Sequence, residues 1–187
     1  MSRIVAMMMT TALSASAVAQ DRATPRNPEA PRVWVTWQGA ELDKGASAWF
    51  LKRFVRTDIV FREVPTGSTD LGEGTPFDVP QAEFRRTHTH AVLETLLQRY
   101  PVQDPIVQHL ARVMHDVEIN YWGQKLYAET DLLESESRRL DEQLPGNHIP
   151  LNCYIAWFDD VYAELRGGKT LVQPRALPAA CNKESAK

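Results

Sequence analysis

Arg32-Val33-Trp34-Val35-Thr36-Trp37 is the stretch whose reading decides the fold. It is β-branched or aromatic at nearly every position, which suits a strand. Working outward toward the C-terminus, Gln38 to Gly45 is a connection, with Asp43 placed as a helix N-cap. Ala46 to Arg56 then reads as a helix, and Asp58 to Pro65, carrying Ile59, Val60, Phe61 and Val64, as a second strand. Strand, helix and strand at this spacing predict a βαβ unit with a right-handed crossover. Thr66 to Gly74 is loop, and Thr75 to Pro80 leaves room for a short strand only, which its prolines assign to a sheet edge. Outward toward the N-terminus, Asp21 to Pro31 is polar and carries Pro25, Pro28 and Pro31, the composition of a linker.

Beyond His88 the pattern turns helical. Thr89 to Arg99 is the first helical segment. Pro105 to about Gly123 is the second, with Asp104 as N-cap and Pro105 at the first helical position. Lys125 to Leu144 either forms a third helix or extends the second past Gly123. Pro145-Gly146-Asn147 is a break, and Pro150 to Arg166 a further helix closed by Gly167-Gly168. The prediction is an α+β fold: a small N-terminal βαβ-type sheet followed by a bundle of four to five helices. Residues 169–187 read as a poorly ordered C-terminal tail.

The start of the chain has a different character. Arg3 is followed by an uncharged apolar run from Ile4 to Leu13, then by small residues ending in Ala17-Val18-Ala19. This three-part pattern predicts a secretory signal peptide over residues 1–19, cut after Ala19, and a periplasmic or secreted protein. The apolar run is too short for a stable membrane span. With 21 Lys+Arg against 24 Asp+Glu the chain carries a formal net charge of −3, which argues against a nucleic-acid partner. In an oxidising compartment Cys153 and Cys181 could form one disulfide or remain two thiols, since two cysteines carry no spacing code.

Two helices carry chemistry worth weighing. On a wheel, Ala46, Phe50, Leu51, Phe54 and Val55 share a core face, with Trp49, Lys52, Arg53 and Arg56 on the other. Lys44 and Ser47 sit near the helix start, where amides and dipole favour anions. Lys44, Ser47, Trp49 and Arg53 are therefore a candidate oxyanion site. The alternative is a solvated basic face, with Trp49 covered by the sheet or a later helix. In the second helix Ile106, Leu110, Val113, Met114, Val117 and Tyr121 make the apolar stripe, and His109, Arg112 and Asp116 lie opposite. Glu118 falls at the stripe's edge, within reach of His115. With His88 and His90 these make a candidate set for a divalent metal: His88, His90, His115 and Glu118. The bland alternative is a His115–Glu118 pair and two surface histidines. The chain contains no G-x-S-x-G, Walker loop, H-E-x-x-H or Cys-x-x-Cys, so no catalytic residue is assigned from motifs.

Three groups of residues carry a resemblance: Val33-Trp34-Val35-Thr36; Asp43-Lys44 with Trp49 and Lys52-Arg53-Phe54; and Gly74-Thr75-Pro76-Phe77-Asp78-Val79-Pro80. They resemble the chromate-resistance exported protein family, the ChrB-type domain, over about Arg32 to Gly168, and Leu110 to Asp116 fits the same pattern. The resemblance implies a role in chromate tolerance, with chromate or a related oxyanion as partner and a functional link to a chromate efflux transporter. Longer members resemble chromate-responsive regulators, whereas the signal-like start here points to export. This chain has Asp43-Lys44 where many members have Asp then Arg, and Arg85-Arg86 where a family histidine usually follows the Phe84 region.

Three functions follow as expectations. The first is an exported accessory protein of chromate resistance that binds an oxyanion or a divalent metal. The second is a metal-dependent enzyme on a small substrate, with Glu118 or Asp78 as acid/base. The third is an interaction module using Trp49 and the basic face.

Overall fold

The computed structural model describes residues 27–39, 41–144, 149–171, 175–177 and 181. The expected signal peptide and the Pro145-Gly146-Asn147 break lie outside these residues. The elements are β1 (Val33–Trp37), α1 (Leu42–Phe50), which runs on through a π-helical turn (Leu51–Val55), β2 (Val60–Val64), β3 (Thr75–Pro76), α2 (Val92–Arg99), α3 (Pro105–Glu118), α4 (Ala128–Glu142) and α5 (Leu151–Arg166). A small parallel sheet followed by helices is the expected α+β arrangement.

The strand order is β2-β1-β3, with both neighbours parallel to β1. Val33 registers with Val60 and Trp37 with Val64 on one side, and Trp34 with Thr75 on the other. The central strand is covered on both faces, which explains its unbroken apolar run. Trp34 enters the main core and meets the Phe77 ring edge-on at 6.0 Å, while Val35 packs with Leu71, Val79 and Ala82 in a smaller cluster. Pro76 sits on the edge strand, where a missing ladder donor costs least.

α1 is the hub of the helical layer, packed against α2, α3 and α5, and each of its residues is buried. Of the expected second face, Arg53 is exposed and Lys52 and Arg56 half-buried, while Trp49 is covered by a later helix, as the alternative reading had it. Trp49 is 1% exposed and covered by Phe158 and Tyr162 of α5. Gly45 makes this packing close: a Cβ there would lie 2.5 Å from Tyr154 Cδ1.

Two buried aspartates tie the helices together, and both correct the sequence reading. α1 begins at Leu42, so Asp43 lies inside it and does not cap it. Its carboxylate instead accepts from the Val92 and Leu93 amides, capping α2 from outside. Asp116 does not face solvent beside Arg112 but is 1% exposed. It accepts from Asn120 Nδ2, the Leu126 and Tyr127 amides and Thr130 Oγ1, which fixes the approach to α4. α3 accordingly stops at Glu118, α4 is a separate helix, and Tyr121 falls beyond the helix end and is exposed. Asp104 caps α3 as expected, accepting from the Ile106 and Val107 amides.

The segments flanking the fold are attached to it. The Asn27 amide donates to Val55 O, and Arg56 reaches Pro28 O and Ala30 O. Beyond α5, Leu171, Arg175, Leu177 and Cys181 are buried. Cys181 is disulfide-bonded to Cys153, and Arg175 pairs with Glu136 and Glu164. The described part of the tail is thus pinned to α4 and α5 by a covalent bond and a buried ion pair, where poor order was expected. No helix among the described residues is long and apolar enough to cross a membrane.

Candidate functional site

In open sheets of parallel strands, ligands bind beyond the carboxyl ends of the strands, where the chain leaves neighbouring strands in opposite directions. Here β1 leads through α1 to β2 on one side, while β3 lies on the other. The β1/β3 boundary is therefore that switch point. A cleft of about 400 Å³ opens there, and its wall includes Trp37 at the end of β1, Glu41 before α1, and Asp78 just after β3. Arg85, Arg86 and Glu118 complete its rim. Glu41, Arg86 and Glu118 also border a second hollow of about 340 Å³ that reaches Ser137 and Asp141 on the α4 side.

Lys44 lies at the base of this site with its side chain 1% exposed. Its ammonium donates to Trp37 O at 3.0 Å and Gly39 O at 3.3 Å, and lies 3.6 Å from both Glu41 Oε1 and Asp78 Oδ2. A buried ammonium is tolerable only with such oxygen partners. Asp78 has a positive φ of 53°, a region aspartate enters more readily than most residues. The turn is held by the Asp78 amide donating to Phe84 O and the Ala82 amide to Val79 O. Asp78 Oδ2 is buried without a hydrogen-bond partner among the described residues, the Lys44 ammonium being its nearest compensation. On the rim, Arg86 donates to Glu118 and Arg85 to Ala82 O. Both arginines are exposed, and each commits one nitrogen of its guanidinium in these bonds.

The electrostatics set the sign of the cleft. Burial, then the Glu118 charge, push Asp43 from 3.8 to about 7, against the pull of the Val92 and Leu93 amides. Burial, then the Glu41 carboxylate, hold Asp78 well above its usual range, with Lys44 pulling it down. A raised carboxyl pKa favours the neutral form, a hydrogen-bond donor rather than a negative charge. Asp43 and Asp78, both in the cleft wall, are thus pushed toward the neutral form, in a lining that also holds Arg85, Arg86, Glu41 and Glu118.

The residues singled out from the sequence fall in several places. Lys44 is in this site, and so is Glu118. Arg53 lies about 13 Å further along the α1 axis. Its guanidinium grips Asp159 through two bonds of 2.9 and 2.6 Å, and Trp49 Nε1 donates to the same carboxylate at 3.1 Å. Ser47 is fully buried. The structure therefore does not gather Lys44, Ser47, Trp49 and Arg53 around one ligand. His115 Nδ1 meets Glu94 at 2.8 Å rather than Glu118, His90 Nδ1 meets Thr89 Oγ1 at 2.9 Å, and His88 is exposed. Among the described residues no group of three or more His, Cys, Asp or Glu is arranged to hold a metal, so His88, His90, His115 and Glu118 do not converge. Arg85, Arg86 and Glu41 carried no motif of their own. The readable signal was Asp78 between two prolines directly after a strand.

Among protein families, the one described as ChrB, C-terminal domain, matches residues 34–165. No curated protein and no solved structure matches the chain.

Proposed function

The chain belongs to the ChrB C-terminal-domain family, which ties it to chromate resistance, and from that premise we propose that it is an exported accessory protein holding a chromate-type oxyanion in the cleft at the carboxyl end of the sheet. The observation that carries this reading is the pair of exposed arginines, Arg85 and Arg86, in the wall of the same cleft as Asp78, whose carboxyl lies 3.6 Å from the buried Lys44 ammonium. Guanidinium groups give oxyanions paired, directional donors. Burial pushes the Asp78 carboxyl toward its neutral form, which can donate where an ionised carboxylate would repel. Export rests on the N-terminal signal pattern, and the Cys153–Cys181 bond suits an oxidising compartment.

Calorimetric titration with chromate tests the site. Wild-type protein binds, and Arg85→Ala/Arg86→Ala binds at least about tenfold more weakly, the loss of one charge-assisted contact. Equal affinity in both proteins overturns the assignment.

A second reading has one observation in its favour. Asp78 combines a positive φ, burial and a raised pKa, the profile of a general acid. Under that reading the cleft is the active site of an enzyme on a small anionic substrate, and Asp78→Asn abolishes turnover while leaving binding intact.

A further inference from the structure

The turn between α3 and α4 exposes the largest apolar side chains on the described surface. Trp122 is 94% exposed, Leu126 74% and Tyr121 66%. These values would suit a floppy loop, but this one is firmly braced. Asn120 Nδ2 donates to Asp116 Oδ1 and to Gln124 O, both at 2.8 Å. The buried Asp116 carboxylate holds the Leu126 and Tyr127 amides. The Tyr121 and Trp122 rings stand edge to face at 4.9 Å.

The charge layout is as particular as the bracing. From Ile119 to Tyr127 the sole charged residue is Lys125. Its ammonium is turned inward, donating to Asp116 O at 2.8 Å and Asn120 O at 3.3 Å at the end of α3. The flanking carboxylates are also partnered, Glu118 by Arg86 and Glu129 by His109. The tip therefore presents two amphipathic aromatics and a leucine with no ionic group to desolvate.

We propose that this turn docks on the surface of a phospholipid bilayer, with Trp122, Tyr121 and Leu126 entering the headgroup region. Tryptophan and tyrosine favour that zone because each pairs an apolar ring with a polar handle. Size argues against a protein partner at this spot. Three protruding side chains offer roughly 500 Å², short of the roughly 800 Å² per partner of a standard interface. With a net charge of −3 and an uncharged tip, attraction to anionic lipid is not the driving force. The contact is apolar and works on neutral lipid. It is independent of the oxyanion reading and places the cleft protein beside a membrane.

The test is intrinsic fluorescence of the full chain on phosphatidylcholine vesicles, plain against brominated in the acyl chains. Trp34, Trp49 and Trp157 are buried and Trp37 is half-buried, so bromolipid reaches Trp122 first. With five tryptophans in the chain, emission falls by about a fifth on brominated vesicles. Trp122→Phe removes that loss. This site-specific reading keeps the apolar stretch Ile4 to Leu13 out of the result. The vesicle-bound fraction of Tyr121→Ser/Trp122→Ser, with an unchanged thermal midpoint, drops about fivefold or more, and wild-type binding is insensitive to salt. No bromolipid quench, or a quench that persists in Trp122→Phe, overturns the proposal. So does an unchanged bound fraction in the double variant.

Discussion

Replacing Asp116 with alanine removes the acceptor on which the α3–α4 connection is built. The wild-type carboxylate takes four donors: Leu126 N at 2.7 Å, Tyr127 N at 3.2 Å, Asn120 Nδ2 at 2.8 Å and Thr130 Oγ1 at 2.7 Å. Thr130 is fully buried, so its hydroxyl is left without a partner in the variant. That orphaning costs about 1–3 kcal/mol, and the donors nearer solvent recover part of their bonding from water and cost about 1 kcal/mol together. The expected loss is about 3 kcal/mol, a large part of the stability of a typical domain. At roughly 3 °C per kcal/mol for a chain of this length, the thermal midpoint falls by about 9 °C. Asp116→Asn keeps one acceptor oxygen and loses about half as much. The pH dependence adds a second signature. Burial alone would raise Asp116, but the four hydrogen bonds outweigh it and lower its pKa below 3.8. A depressed folded-state pKa gives stability present above the unfolded value and lost as pH falls through the folded one. The wild-type advantage over Asp116→Ala therefore shrinks in strong acid. Scanning calorimetry at pH 7 and in acid reads both effects. A midpoint within about 2 °C of wild type for Asp116→Ala would show that this carboxylate does not organise the connection.

Three further perturbations follow from the same structure. Reducing the Cys153–Cys181 bond, which closes a separation of 28 residues, costs about 3.5 kcal/mol by loop entropy and frees the tail; identical urea midpoints with and without reductant would contradict it. Asp43 holds its proton more tightly folded than unfolded, so its contribution is greatest below about pH 4 and declines by up to about 4 kcal/mol as pH rises to about 7. Asp43→Asn should flatten that decline in a pH series of urea melts, and unchanged slopes would be the contrary result. Gly45→Ala drives a methyl into the Tyr154 ring, whose hydroxyl is itself bonded to Ser137 Oγ at 2.6 Å, and costs about 2 kcal/mol despite alanine's better helix propensity; a stabilised variant would mean α1 and α5 are not packed so closely.

The strands and helices were legible because their signals are local. Val33 to Trp37 has strand composition, and Asp104-Pro105 announces α3 in two residues. What stayed hidden depends on partners far along the chain. Asp43 looked like a cap because it precedes an apolar run, yet its carboxylate serves amides about 50 residues away. A helical wheel gives each residue a face but not what covers it, so it left open whether the sheet or a later helix covers Trp49 and gave Arg53 no partner, whereas α5 supplies Asp159 to both. For Glu118 the wheel gave the right partial burial, with its side chain 16% exposed, but left open whether His115 or a distant arginine would meet it; Arg86 is the partner. The cleft itself was not readable, since it exists only once β1 and β3 lie side by side and bring Glu41 and Asp78 to one ammonium.

The proposed oxyanion site lies in the cleft lined by Asp78, Arg85 and Arg86, beside the Lys44 ammonium. Anomalous diffraction at the chromium edge, from crystals soaked in chromate, locates the ion directly. The expected result is a chromium peak in the cleft at the carboxyl ends of β1 and β3, within hydrogen-bond reach of Arg85 or Arg86. A peak at the Arg53–Asp159 pair instead, or an empty cleft in crystals whose solution protein binds chromate, would contradict it.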